Sequence, residues 1–162
     1  MKQLAISGET NIGKTYNTYH TLVEIAGKDK VMLLRSIQDL QYYRGKQKFL
    51  IFDDISFMHT APETLIHLLD NDFDSPIRIL YKSVTIPAET FKVLIHNDQE
   101  AWSPILATLR QQEAIDRRLE RKEVSQRSEV IQAVRDWALP IHTNLTATSN
   151  APSTSQPPVN SQ

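Results

Sequence analysis

The chain has 162 residues, 40% of them hydrophobic and 23% charged, with a net charge of −1 and no cysteine. That composition suits one globular domain with its own core. It excludes disulfides, cysteine-rich zinc sites and thiol catalysis, and it leaves nucleic-acid binding to a local patch or to the summed surfaces of several subunits.

The opening MKQLAIS reads as a strand over 3–7 running into a glycine-containing loop, and not as a signal peptide. A helix is expected over 16–26, a second strand over 31–34 and a short helix over 37–43. Phe49-Leu50-Ile51-Phe52 is a continuous apolar run before two aspartates, as expected of a strand buried on both faces of a parallel sheet. Residues 62–69 carry a helical apolar pattern. Residues 77–81 and 84–87 flank Lys82-Ser83 and predict a hairpin. Phe91-Lys92-Val93-Leu94-Ile95 is another buried strand. The charged stretch 111–137 reads as helix, with a break near 124–128. Strands alternating with helices predict an α/β fold, a mostly parallel sheet flanked by helices. From Thr143 onward there is no charged or aromatic residue, and Ser, Thr, Asn and Pro dominate. Such a segment cannot bury enough apolar surface to offset its ordering entropy. The expected division is therefore a folded domain over 1–140 and a disordered tail over 141–162. No apolar run approaches the length of a membrane span, so no membrane partner is expected.

Gly8-Glu9-Thr10-Asn11-Ile12-Gly13-Lys14-Thr15 matches G-x-x-x-x-G-K-[ST] in full, between an expected strand and an expected helix. Glycines let the backbone curl so that successive N–H groups face phosphate oxygens, and the following helix aims its positive end at the same point. Lys14 would carry its charge to the β- and γ-phosphates of ATP, and Thr15 would offer its hydroxyl to Mg2+. The matching partner is the acidic pair after the apolar run. Asp53 suits a magnesium held through water, and Asp54 a general base that polarises the attacking water; the plainer alternative is that both cap the next helix. Asn97, at the end of 91–96, suits a γ-phosphate contact or a simple turn.

Taken in order, the phosphate loop, the acidic pair, the hairpin segment and the Asn97 strand resemble a superfamily 3 helicase domain of AAA+-like, P-loop NTPase type. The nearest likeness is the C-terminal half of replication-associated (Rep) proteins of circular single-stranded DNA viruses. The resemblance covers about residues 1–122. It implies DNA replication, ATP hydrolysis coupled to movement on single-stranded DNA (RNA being also possible), and a homo-oligomeric ring of roughly six subunits. It implies a DNA-contacting hairpin with Arg78 and Lys82, the latter nearer the tip. It also implies that Arg117 or Arg118 is an arginine finger reaching the γ-phosphate of a neighbouring subunit. The chain departs from the family at the tip, where Ser83-Val84 replaces glycines, and at His96, where a small hydroxyl residue is usual. No nicking-nuclease half precedes the phosphate loop. The expected location is intracellular, in the nucleus or cytoplasm of a host cell if the protein is viral.

Other readings stand beside this one. A nucleotide- and nucleic-acid-binding module without unwinding activity is one. A small P-loop kinase is another, for which Asp39 is a weak substrate-site candidate. His96 reads as a histidine without a role, and Trp102 and Trp137 as packing residues. The five histidines lack metal-ligand spacing, so no zinc is expected.

Overall fold

The computed structural model describes the backbone of residues 1–150 and the side chains of residues 1–148. In chain order the elements are β1 (Gln3–Ser7), α1 (Lys14–Ala26), β2 (Val31–Leu34), β3 (Phe49–Asp53), α2 (Pro62–Leu68), β4 (Ser75–Ile79), β5 (Lys82–Ile86), β6 (Phe91–His96), α3 (Leu109–Arg118), β7 (Leu119–Glu123) and α4 (Arg127–Asn150). Short 3-10 turns occupy Lys28–Lys30, Ile37–Tyr42 and Gln99–Trp102.

Five strands form one sheet in the order β2-β3-β6-β1-β7, every neighbouring pair parallel. The apolar runs are continuous because both faces are covered. Phe49 and Ile51 of β3 turn toward a core shared with Leu22 of α1 and Val130, Val134 and Trp137 of α4. Leu50 and Phe52 turn the other way, toward Leu65 of α2, Ile77 and Ile86 of the hairpin, and Trp102. Strand alternation thus feeds two cores, one on each side of the sheet. Both tryptophans are packing residues, as anticipated. Because the strands are parallel, their C-terminal ends gather on one edge, where crevices for ligands form in open α/β sheets.

Three expectations are corrected. The stretch 111–137 is not one helix: α3 ends at Arg118 and Leu119–Glu123 forms β7 before α4 begins. Its sequence, LERKE, favours helix, but pairing with β1 overrides that propensity. An edge strand bonded on one side tolerates such charge. The hairpin turn is Leu80-Tyr81, because Ile79 pairs with Lys82. Finally, the tail does not begin at 141. Helix α4 continues through that point because Ile141 is buried in the core and Leu145 packs against it. Residues 151–162, the rest of the expected tail, lie outside the described residues. No helix among the described residues is long and apolar enough to cross a membrane.

Candidate active site

The loop between β1 and α1 is shaped by its glycines. Gly13 has φ 73° and Gly8 has φ 154°, values that L side chains rarely adopt. A Cβ on Gly8 would collide with the Val124 carbonyl oxygen, and one on Gly13 with the Asn17 amide. The loop is therefore clamped between the end of β7 and the first turn of α1. Asn17 donates from Nδ2 to the Gly13 carbonyl (2.7 Å) and accepts at Oδ1 from Arg127 Nε (3.0 Å). The start of α4 is thus tied to the loop through one buried amide.

A cleft of about 410 Å³ opens beside this loop, lined by Thr10, Asn11, Gly13, Lys14, Thr15, Tyr16, Asp53, Asp54, Ile95, His96 and Asn97. Lys14 is buried, and its ammonium donates to the carbonyls of Gly8 (2.8 Å) and Glu9 (2.5 Å) and to Asn97 Oδ1 (2.9 Å). Burial pushes its pKa below the usual lysine value, and the carboxylates of Asp54 and Asp53 act against that shift. Thr15 Oγ1 donates to Asp53 Oδ1 at 2.6 Å. A hydroxyl and a carboxylate oxygen therefore meet where a small hard cation would need them, and such a cation takes its other ligands from water and phosphate. Among the described residues no group of three or more His, Cys, Asp or Glu forms a metal site.

Asp54 follows the strand in a left-handed conformation, φ 55°, its N–H donating to the Ile95 carbonyl (2.8 Å). This turns the Asp54 side chain outward, and it is 74% exposed. The structure thus brings Lys14, Thr15, Asp53, Asp54 and Asn97 into one cleft at the ends of the adjacent strands β3, β6 and β1. Of the remaining loop residues, Thr10, Asn11 and Gly13 line it, whereas Gly8 and Glu9 contribute the carbonyls that hold Lys14 and Ile12 packs against the core.

The other candidates lie elsewhere. Leu119 pairs with Gln3 at the start of β1, so Arg117 and Arg118 sit at the opposite end of the sheet from the phosphate loop. Four steps along β1 separate them, about 13 Å at ~3.3 Å per residue. Arg117 borders a surface hollow with Lys2, Arg110, Glu113 and Asp116, and Arg118 donates from Nη1 to the Ala114 carbonyl (2.8 Å). On the hairpin, Arg78 faces solvent, while Lys82 reaches back from Nζ to the Gln41 carbonyl (3.3 Å). The tip belongs to Leu80 and Tyr81, which are 65% and 96% exposed. Alternation would have placed the turn there: Ile77 and Ile79 point inward and Arg78 outward. His96 lines the cleft too, although its sequence alone gave it no role.

No family model and no curated protein matches the chain. Among solved structures it is similar to the apo C-terminal region of NrS-1, at 14% identity and a TM-score of 0.48, over 87% of this chain and 34% of that one. It is also similar to a ligand-bound JCV helicase, at 11% identity and a TM-score of 0.44, over 93% of this chain and 46% of that one. The chain spans less than half the length of either. Likenesses this distant carry no argument about activity, and the fold assignment rests on the sheet order and the loop themselves.

Proposed function

We propose that the chain is an ATP-hydrolysing domain of the superfamily 3 helicase type, working on single-stranded DNA as a ring of copies. The observation that carries this reading is the convergence of Lys14, Thr15, Asp53, Asp54 and Asn97 in one cleft at the ends of three neighbouring strands. In this reading the loop N–H groups and Lys14 bind the phosphates of ATP. Thr15 and Asp53 hold Mg2+, which when bound neutralises charge building up on the phosphoryl oxygens. Asp54 orients the attacking water, and Asn97 contacts the γ-phosphate. Arg117 or Arg118, remote from its own cleft, serves the cleft of a neighbour. The hairpin carries Arg78 and Lys82 to the DNA.

The test is the steady-state ATPase rate of the full chain with Mg2+, with and without single-stranded DNA, over a range of protein concentrations. Stimulation by DNA and a faster-than-linear rise with protein are expected. A rate indifferent to both would remove the motor and leave a P-loop protein of another kind. A second reading, a binding module without unwinding activity, draws on the same separation between arginines and cleft: a lone copy has no finger. Strand displacement on a forked duplex distinguishes the two.

A further inference from the structure

We propose that His96 is a positioning residue that holds the Asp54 carboxylate toward the cleft, through a tautomer fixed by the backbone amide of Asp98. The proposal rests on the reading of Asp54 as the group that orients water.

Both ring nitrogens of His96 are engaged. Nδ1 accepts a hydrogen bond from the Asp98 N–H at 3.0 Å. A nitrogen that accepts cannot carry the proton of the neutral ring, so that proton sits on Nε2. Nε2 lies 3.4 Å from Asp54 Oδ1. With the neutral ring's proton on Nε2, the side of the ring nearest Asp54 is the one that carries the N–H. Asp54 depends on this contact. Its side chain is 74% exposed, against 20% for His96, and among the described residues no other side chain lies within ion-pair or hydrogen-bond distance of it. A free carboxylate on an exposed turn would sample several rotamers, and a base must be held in place to act. The two backbones are also coupled, because the Asp54 N–H donates to the carbonyl of Ile95, the residue before His96. The amide of residue 98 sets the ring, and the ring sets the carboxylate.

Two variants separate this role from a purely structural one. In His96→Gln the side-chain nitrogen reaches about as far as Nε2, so the donor to Asp54 is kept and the acceptor for Asp98 is lost. In His96→Asn the oxygen stands in for Nδ1, so the acceptor is kept and the donor is lost. For the full chain with Mg2+ and single-stranded DNA, His96→Asn should lower kcat by roughly tenfold or more, part of the about 10²–10⁴ that a positioned base supplies. KM should stay within about twofold, and His96→Gln should recover most of kcat. The reverse order, or a full rate in both variants, would overturn the proposal while leaving the ATPase reading intact. A wild-type protein without Lys14-dependent hydrolysis would overturn both. Long-range proton–nitrogen correlation on the His96 ring gives an answer independent of turnover. The Nε2–H form is expected, and an Nδ1–H form would refute the proposal.

Discussion

At the scale of single residues, the proposed function assigns binding and turnover to different side chains of the cleft. Lys14→Ala should raise the Kd of a fluorescent ATP analogue at least tenfold, because among the described residues no other lysine or arginine lines the cleft wall. Asp54→Asn should leave that Kd nearly unchanged while abolishing hydrolysis; a variant that still turns over would remove Asp54 from the chemistry. A second buried lysine has nothing to do with nucleotide. Lys92 is 1% exposed, and among the described residues its ammonium donates only to the Asp70 carbonyl (3.1 Å) and Asn71 Oδ1 (3.4 Å). Burial lowers its pKa to about 8, with Asp70 acting weakly in the other direction. The folded chain therefore releases this proton before the unfolded chain does. Below about pH 8 both states are protonated and the burial cost is fully present. As pH rises from about 8 toward 10.5, the unfolded state holds more protons and stability increases. The gain is on the order of 3 kcal/mol. Tyr43 works in the opposite sense above about pH 10, because burial raises its phenol pKa, with the neighbouring Thr90 hydroxyl opposing the shift only in part. Urea midpoints at pH 7.5 and 9.5 should rise in the wild type and stay flat in Lys92→Met.

At the scale of elements, the buried strands could be read directly. Phe49 to Phe52 and Phe91 to Ile95 are apolar without interruption because they face two cores, and an unbroken run has few other uses. The phosphate loop was equally legible, since its glycines are demanded by backbone angles that L side chains rarely adopt. What stayed hidden was decided by distant partners. Nothing local in Leu119-Glu120-Arg121-Lys122-Glu123 signals a strand; β1 supplies the signal from more than a hundred residues away. The role of His96 was likewise invisible, because it depends on the left-handed turn at Asp54. The far part of α4 was misread because composition says little about one buried and one partly buried side chain in a polar stretch. The anchor is Ile141, 1% exposed, with Leu145 against the same core. A chain ending at residue 140 should lose about 2–4 kcal/mol of stability relative to one ending at 150, from the apolar area no longer buried. Denaturant melts of the two chains measure the difference; equal midpoints would show that these residues only decorate the fold.

At the scale of the whole molecule, the proposed function would divide a reaction centre between opposite ends of the sheet of one copy. A cleft lies past Ser7, and the arginine pair lies before Leu119, which pairs with Gln3. Under that proposal only a neighbour could unite them. Two inactive proteins should therefore complement each other. Lys14→Ala keeps its arginines, and Arg117→Ala or Arg118→Ala keeps its cleft. Mixing Lys14→Ala with the correct arginine variant should restore part of the DNA-stimulated rate, and whichever arginine substitution behaves this way identifies the finger. A mixture as silent as its components would mean that the arginines do not act across an interface.

The three protons of the Lys14 ammonium are already spoken for, by Gly8, Glu9 and Asn97. Entry of a phosphate would thus be an exchange of hydrogen-bond acceptors around the ammonium and not a simple capture. If the proposed function holds, nucleotide affinity is a difference between two sets of bonds, and Asn97 would enter on both sides of it: as an incumbent before nucleotide arrives and as a ligand-sensing amide afterwards. Asn97→Ala should accordingly split the two phases, with ATP binding as tightly as in the wild type or up to about fivefold tighter, from the loss of a competing bond of about 0.5–1 kcal/mol, while turnover falls. Equal weakening of both by stopped-flow binding and steady-state hydrolysis would show that the incumbent bond has no hold on the lysine.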